Sequence, residues 1–372
     1  MKDTILFGDC KETLSAFLPQ SARTCVTSPP YYGLRDYGTA TWIGGDPNCK
    51  HRKVGKQGSN CITGHKNHDD MGSVGDYIFK SVCPLCGAIR QDSQIGLEES
   101  PEEYVESLVS VFREVRNILT DDGTLWVNLG DSYYNYRPGK GQSYPKQSVS
   151  KTKQDLPDEC NKRGKKLDGL KEKDLIGIPW LFAFAMRKDG WYLRQDIIWH
   201  KPNPMPESVK DRCTKSHEYI FLFSKNRKYF YDNEAIKEPA KDWGTRDRTK
   251  GKYHNTGTGL QPHSGLTKSY ERKNKRSVWS VTVKPYKEAH FATYPPDLIE
   301  PCILAGSEEG DTILDPFMGA GTTAAVAKSL NRYYIGCELN EDYGNLIQKR
   351  IQDYQPVKEV AQEPTINILD II

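Results

Sequence analysis

The residues of this chain best equipped for chemistry lie in two short stretches. Thr27-Ser28-Pro29-Pro30-Tyr31 is near the start, and Asp315-Pro316-Phe317-Met318-Gly319-Ala320-Gly321-Thr322 is near the end. The first follows a β-prone run, residues 22–26, so its prolines stand where a strand must stop and the chain turn. Such ends are where open α/β sheets place their chemistry. An exocyclic amino group on a nucleobase is a poor nucleophile, because its lone pair is delocalised into the ring. It needs acceptors for its N–H bonds. The Ser28 hydroxyl and the Pro29 carbonyl can supply two, the second held rigidly by the fixed proline φ values. Tyr31 offers a ring on which a base can stack, a contact of about 1–3 kcal/mol. Taken alone, Ser-Pro-Pro-Tyr is equally an ordinary stiff turn carrying a surface aromatic.

The second stretch narrows the choice. Residues 312–315 read as a strand, 322–330 as a helix and 333–338 as the next strand, which is a βαβ unit with a glycine loop at its first turn. Gly319 and Gly321 let the backbone approach a ligand closely, and Glu338 stands about 20 positions on, where a ribose-binding carboxylate belongs. The loop lacks the Lys-Ser or Lys-Thr ending of a nucleotide-hydrolysing phosphate loop, which disfavours that chemistry.

The elements that must position these stretches are legible from periodicity. Val105, Leu108, Val109, Phe112, Val115, Ile118 and Leu119 recur at helical spacing behind a Ser100 N-cap, with Glu102 and Glu103 in the first turn. Residues 123–129 read as a buried strand, 178–188 as a helix opened by Pro179 and closed at Gly190, 192–199 as a strand, and 217–223 as another. No internal repeat is present.

Composition bounds the rest. At 372 residues the chain can bury a sizeable core. Hydrophobic content of 37% and charged content of 27% describe a polar protein with no apolar run long enough to span a bilayer, so no membrane association is expected. Met1-Lys2-Asp3-Thr4 carries no apolar signal region, which makes the cytoplasm the expected location. The net charge of +3 is modest, but it is unevenly spread. Residues 237–284 hold 12 Lys and Arg against 4 Asp and Glu. This irregular segment offers Arg246, Arg248, Lys250, Lys252, Arg272, Lys273, Lys275 and Arg276 to phosphates or base edges, or is a solvated loop. A second basic tract, residues 137–174, reads as a DNA clamp or a plain linker.

Cysteine spacing supplies a further site. Cys49-Lys50-His51 and Cys83-Pro84-Leu85-Cys86-Gly87 offer Cys49, His51, Cys83 and Cys86 as four soft ligands in the C-x-x-C knuckle pattern of tetrahedral zinc. Cys61, His65 and His68 are alternative ligands, and reduced thiols without metal are the bland alternative. The remaining cysteines are scattered through expected core elements, so disulfides are not expected.

With these residues in view, the chain resembles the amino-DNA methyltransferases that use S-adenosylmethionine, in the β-type order with the catalytic motif ahead of the donor motif. Thr27 to Tyr31 matches the catalytic motif, Asp315 to Thr323 the Phe-x-Gly-x-Gly donor loop, and Asp9-Cys10 the element that holds the donor's adenine. Residues 123–131, Trp199-His200-Lys201-Pro202-Asn203 and His290-Phe291-Ala292-Thr293-Tyr294-Pro295 match in family order. Some phage and bacterial relatives carry a similar Cys/His insertion. The resemblance implies a doubly wound, mostly parallel α/β sheet of Rossmann-like methyltransferase type with permuted motifs. It divides the chain into a catalytic half (1–37 and 99–236), a zinc-knuckle-like insertion (38–98), a target-recognition segment (237–284), a donor-binding half (285–355) and a tail (356–372).

The implied donor-binding residues are Asp9, Cys10, Asp315, Phe317, Gly319, Gly321, Thr322, Thr323 and Glu338, and the catalytic ones Ser28, Pro29, Pro30 and Tyr31. Because the donor half is split, residues 1–20 are expected beside 290–353. The implied partners are double-stranded DNA and a cognate restriction endonuclease, with a homodimer as a further expectation. A flipped base would present its amino nitrogen to the donor methyl. Methylation at a ring carbon needs a cysteine nucleophile, and Cys25 precedes the motif instead. A serine at the first motif position points to cytosine N4, with adenine N6 as the alternative. An RNA or protein-amide methyltransferase, or a zinc-containing DNA-binding protein with a dead catalytic domain, are the readings from other classes.

Overall fold

The protein was analysed as a computed structural model that describes residues 2–33, 39–49, 54–55, 77–78, 82–83, 85–134, 167, 169–240, 271–284 and 293–354. Its centre is an eight-stranded sheet. In chain order the strands are β1 (Thr4–Phe7), β2 (Ala22–Thr27), β3 (Leu119–Leu129), β4 (Tyr192–His200), β5 (His217–Ser224), β6 (Val278–Ser280), β7 (Thr312–Asp315) and β8 (Tyr333–Glu338). Their spatial order is β1-β8-β7-β2-β3-β5-β4-β6. Every neighbouring pair is parallel except those made by β5, which runs antiparallel to both β3 and β4.

The expected contact between the two ends of the donor half is present. β1 pairs in parallel with β8, placing Thr4 opposite Ile335 and Phe7 opposite Glu338. β3 begins at Leu119, earlier than the apolar pattern alone suggests, and its first residue already pairs with Ala22. The polar Thr120, Asp121 and Asp122 carry no apolar signal; they form an irregularity between the Leu119–Ala22 and Thr124–Thr24 pairs.

Alternation along the central strands assigns two faces. Cys25, Leu125, Val127, Leu129, Phe221, Phe223, Leu314, Ile335 and Cys337 meet the helices α1 (Cys10–Thr13), α2 (Pro101–Ile118) and α3 (Ile178–Lys188). Val26, Trp126, Ile220, Leu222, Ile313 and Tyr334 meet α4 (Pro296–Gly306), α5 (Thr322–Ser329) and α6 (Gly344–Asp353). Helices therefore cover both faces of a mostly parallel sheet, the doubly wound arrangement, and β2, β7 and β8 are buried at nearly every position.

The helix boundaries follow local chemistry. Ser100 caps α2 by accepting from the Glu103 N–H at 3.2 Å, and the Glu103 carboxylate accepts from the Glu99 N–H at 3.0 Å, a reciprocal pair that satisfies two otherwise unbonded donors. At α3 the Asp131 carboxylate accepts from the Gly177 and Ile178 N–H groups at 3.0 to 3.2 Å, so a residue just past β3 caps a helix 46 positions on. Among the described residues no helix is long and apolar enough to cross a membrane.

Candidate active site

The parallel strands all end on one edge of the sheet, and antiparallel β5 begins there. That edge collects Asp9 after β1, Ser28 after β2, Asp131 after β3, Lys201 after β4, Glu218 at the start of β5, Asp315 at the end of β7 and Glu338 at the end of β8. Because β8, β7 and β2 are neighbours, the glycine loop and the Ser-Pro-Pro turn lie side by side.

On the donor side the loop after β7 is shaped by backbone. Gly319 and Gly321 adopt φ of 55° and 81°, the left-handed region that glycine enters without strain. A Cβ at Gly321 would stand 2.8 Å from Ile347 Cγ2, whereas one at Gly319 would meet nothing closer than 3.8 Å, leaving an open cradle at that position. The Gly319 N–H donates to Glu338 Oε2 at 2.7 Å and the Asn340 N–H to Oε1 at 2.9 Å. Burial pushes the Glu338 carboxyl up to about 7, although the two N–H groups act in the opposite direction. Asp9 caps α1 through the Lys11 N–H at 2.9 Å, and the Gly8 N–H donates to the Glu338 carbonyl at 2.9 Å. Cys10 is buried, with its thiol pushed up by burial. Phe317 is half-buried, edge-on to Phe112.

Asp315 differs from the other expected donor ligands. It is wholly buried, and both its oxygens are taken by the protein. Oδ1 accepts from Thr27 Oγ1 at 2.6 Å and the Phe317 N–H at 3.0 Å; Oδ2 accepts from Thr323 Oγ1 at 2.6 Å and the Tyr294 hydroxyl at 3.2 Å. Burial raises its carboxyl, and these donors oppose the rise. Asp315 is thus a knot tying the end of β2, the start of α5 and Tyr294 to the end of β7. Thr322 and Thr323 are buried at the same place, Thr323 inside the knot.

On the amine side the contacts run between side chains. Pro29 is buried, Ser28, Pro30 and Tyr31 are half-buried, and Tyr104 donates its hydroxyl to the Pro30 carbonyl at 2.7 Å. Among the described residues no donor is paired with the Pro29 carbonyl. The Tyr31 ring lies against Gly130, where a Cβ would stand 2.6 Å from Tyr31 Cε2, and its hydroxyl reaches Glu218 Oε2 at 2.8 Å and Asn128 Oδ1 at 3.1 Å. Burial and the Glu218 carboxylate push the Tyr31 hydroxyl well above the ordinary tyrosine range, so it stays an O–H donor. Ser28 Oγ stands 3.4 Å from Asn128 Oδ1, and Lys201 pairs with Glu218 Oε1. Sequence reading singled out none of Asn128, Lys201 and Glu218 as a site residue; they lie near the end of β3, just past β4 and at the start of β5, three positions that meet on this edge. Cys25, by contrast, is wholly buried within β2, and burial beside Asp315 raises its thiol well above the ordinary range, so it is no nucleophile.

Of the four expected metal ligands, Cys49, Cys83 and Cys86 are brought together, all three sulfurs lying within 4.8 Å of one another. His51, like Cys61, His65 and His68, lies outside the described residues. A short antiparallel pair, Thr41–Ile43 with Ile89–Gln91, aligns the two segments, and the Gly87 N–H donating to the Cys83 carbonyl at 2.9 Å closes the knuckle. The Cys49 to Cys83 sulfur separation is 3.8 Å, matching the ~3.8 Å edge of a tetrahedron with Zn–S of about 2.3 Å.

Of the expected DNA contacts, Arg246, Arg248, Lys250 and Lys252 lie outside the described residues. Arg276 and Lys273 both reach Glu238 Oε1, at 2.7 and 3.4 Å, Arg272 donates to the Lys237 carbonyl at 2.7 Å, and Lys275 lies over the Trp279 ring. Despite a burial effect of opposite sign, Arg276 and Lys273 hold the Glu238 carboxyl below its usual range.

A doubly wound sheet with a glycine loop and a Pro-Pro turn at the strand ends of one edge has the architecture of an α/β ligand-binding enzyme. A family model described as DNA methylase, of the N6 and N4 amino-methyltransferases, matches residues 22–349, and the chain belongs to that family. The type II methyltransferase M.XycI of Xanthomonas campestris pv. cyanopsidis is 39% identical over 349 residues, spanning 94% of this chain and 87% of that protein. M.SmaI of Serratia marcescens is 39% identical over 352 residues, spanning 93% and 90%. The solved PvuII DNA methyltransferase (cytosine-N4-specific) shares the fold, with a TM-score of 0.54 at 15% identity over 96% of this chain and 88% of that one. The protein is an amino-DNA methyltransferase, and DNA is its substrate.

Proposed function

We propose that this enzyme transfers a methyl group from S-adenosylmethionine to N4 of a cytosine flipped out of duplex DNA. The observation that carries the reading is the placement of the Ser28 hydroxyl and the Pro29 carbonyl on the strand end next to the Gly319 cradle. The donor supplies an electrophilic methyl carbon when bound. Gly319 backbone and the Glu338 carboxylate would hold its ribose hydroxyls, Asp9 and Cys10 its adenine, and Phe317 and Gly321 would shape the wall. Asp315, Thr322 and Thr323 support this cradle from beneath. The open φ-positive position at Gly319 and a buried carboxylate answered only by backbone N–H groups fit such a ligand. The chain's own part is to accept the amino N–H bonds at Ser28 and Pro29, to stack or wedge the base with Tyr31 and Pro30, and to align the nitrogen for direct attack. A hydroxyl rather than a carboxylate at position 28 supports cytosine.

In the same reading, residues 237–284 form the target-recognition segment, with Arg246, Arg248, Lys250, Lys252, Arg272, Lys273, Lys275 and Arg276 as its cations. The names of the type II relatives suggest a cognate endonuclease. Cys49, Cys83 and Cys86 hold a structural zinc, with His51 as fourth ligand. Cobalt replacing zinc in purified protein should give a thiolate-to-metal absorption that Cys83→Ser removes; a chain purified without bound metal and silent with cobalt overturns that assignment.

The reaction is tested by incubating the protein with labelled S-adenosylmethionine and unmethylated duplex DNA, then identifying nucleosides by mass spectrometry. N4-methylcytosine is the expected product. N6-methyladenine would overturn the choice of base while leaving the site roles in place.

A further inference from the structure

Glu218 contributes no group to the chemistry described above, yet it is the only carboxylate among the described residues that is bonded to both Tyr31 and Asn128. We propose that Glu218 is a positioning residue: acting through Asn128, it fixes which way the Ser28 hydroxyl points. The inference rests on the amine-methylation reading of Ser28. The Asn128 amide nitrogen donates to Glu218 Oε2 at 3.2 Å and to the Tyr219 carbonyl at 3.2 Å. A flipped amide would set its oxygen against two acceptors, so Oδ1 is obliged to face the other way, toward Ser28 and Tyr31. The Tyr31 hydroxyl has one proton and two acceptors in reach. The carboxylate is the nearer, 2.8 Å against 3.1 Å, and the stronger. Asn128 Oδ1 is thereby left to the Ser28 proton.

A serine whose proton is committed inward presents only lone pairs outward, which is what an amino group with two N–H bonds to place requires. A serine free to rotate spends part of its time pointing its own proton at the substrate nitrogen, a repulsive arrangement. Lys201 occupies the remaining Glu218 oxygen, so the carboxylate is anchored from β4 as well as from β5. Three strands, β3, β4 and β5, thus converge to fix the direction of one hydrogen atom on a fourth, β2.

The test is single-turnover methylation of duplex DNA, with donor and DNA affinities measured separately. Glu218→Gln should slow the methyl-transfer step on the order of ten- to a hundredfold while both affinities stay within about twofold. Asn128→Leu should do the same. If both act through Ser28, combining either with Ser28→Ala should add less than about twofold to the Ser28→Ala loss, and the Glu218→Gln/Asn128→Leu pair should be no slower than Asn128→Leu. Losses that multiply, or weakened affinity at an unchanged transfer rate, overturn the inference. Where Glu218→Gln lowers the melting temperature, the Asn128→Leu and Ser28→Ala combination decides alone. A wild-type product other than a methylated amino group overturns the functional reading first, and is recognised as such because it precedes any variant.

Discussion

The two sides of the candidate site are built from different materials. The proposed donor side is largely backbone, glycines at positive φ and N–H groups answering the Glu338 carboxylate, with Asp9 and Asp315 as its other carboxylates. The amine side is a chain of side chains, Ser28, Asn128, Tyr31, Glu218 and Lys201, drawn from four strand ends. A backbone site has its shape fixed by φ and ψ, so it resists most side-chain changes and fails only where a Cβ intrudes. A side-chain network fails at every link, because removing one partner leaves the next without its acceptor or donor.

The largest effect that would sharpen this contrast is expected at Ser28. Ser28→Ala should lower the methyl-transfer rate about 10²- to 10³-fold, the scale of losing one oriented polar group at a reacting centre, with donor affinity unchanged by calorimetry. Parallel loss of donor binding would show that the two sides are not separate. Gly321→Ala is the counterpart. It places a Cβ 2.8 Å from Ile347 Cγ2 at a φ that alanine disfavours, a cost of about 1–3 kcal/mol that should appear as a lower melting temperature and weakened donor binding, even in the absence of DNA.

Thr27→Val tests the knot beneath both sides. It keeps the side-chain volume but removes one of four donors to the wholly buried Asp315, and should destabilise the fold by about 1–3 kcal/mol, read by denaturant unfolding. A neutral result would mean that Asp315 does not hold β2 to β7. A pH dependence is expected as well. On the proposed reading Glu338 would accept from the ribose hydroxyls in its ionised form, so with its carboxyl near 7, donor affinity should level off above that pH and fall by about tenfold per pH unit below it. Stability of the donor-free protein moves the other way. A folded carboxyl raised from 4.5 to about 7 contributes stability that is present below 4.5 and lost as pH rises to 7. Glu338→Gln should flatten both curves; an unchanged slope in the variant would assign the titration elsewhere.

Much of the donor side was legible because its determinants are local. Strand, glycine loop, helix and acidic residue follow one another within about thirty positions, and hydrophobic period plus two glycines suffice to read them. The Ser-Pro-Pro-Tyr turn was legible for the same reason, since proline dictates its own backbone and that of its predecessor. The Asp315 knot was not. The sequence reads Asp315 as one of the donor-binding residues beside the glycine loop, and only the pairing of β7 with β2, 288 positions away in the Thr27 contact, turns it inward onto the protein's own donors. The Cys49, Cys83 and Cys86 cluster stands between these cases: spacing marks the Cys83 and Cys86 knuckle, while the antiparallel pair of 41–43 with 89–91 decides that Cys49 joins it.

The amine side shows the limit most clearly. Asn128 follows the apolar run 125–127 and Glu218 precedes the apolar run 219–223, and nothing local says that they face one another. Their meeting needs β5 to enter the sheet antiparallel between β3 and β4, which reverses its direction and brings its first residues to the edge where its neighbours end. The sequence by itself determined the elements, the cradle and the turn, because hydrogen-bond periodicity and φ preferences act over a few residues. The tertiary structure decided strand order, the inward turn of Asp315 and the direction of the Ser28 hydroxyl, because those depend on which distant segments share a buried face.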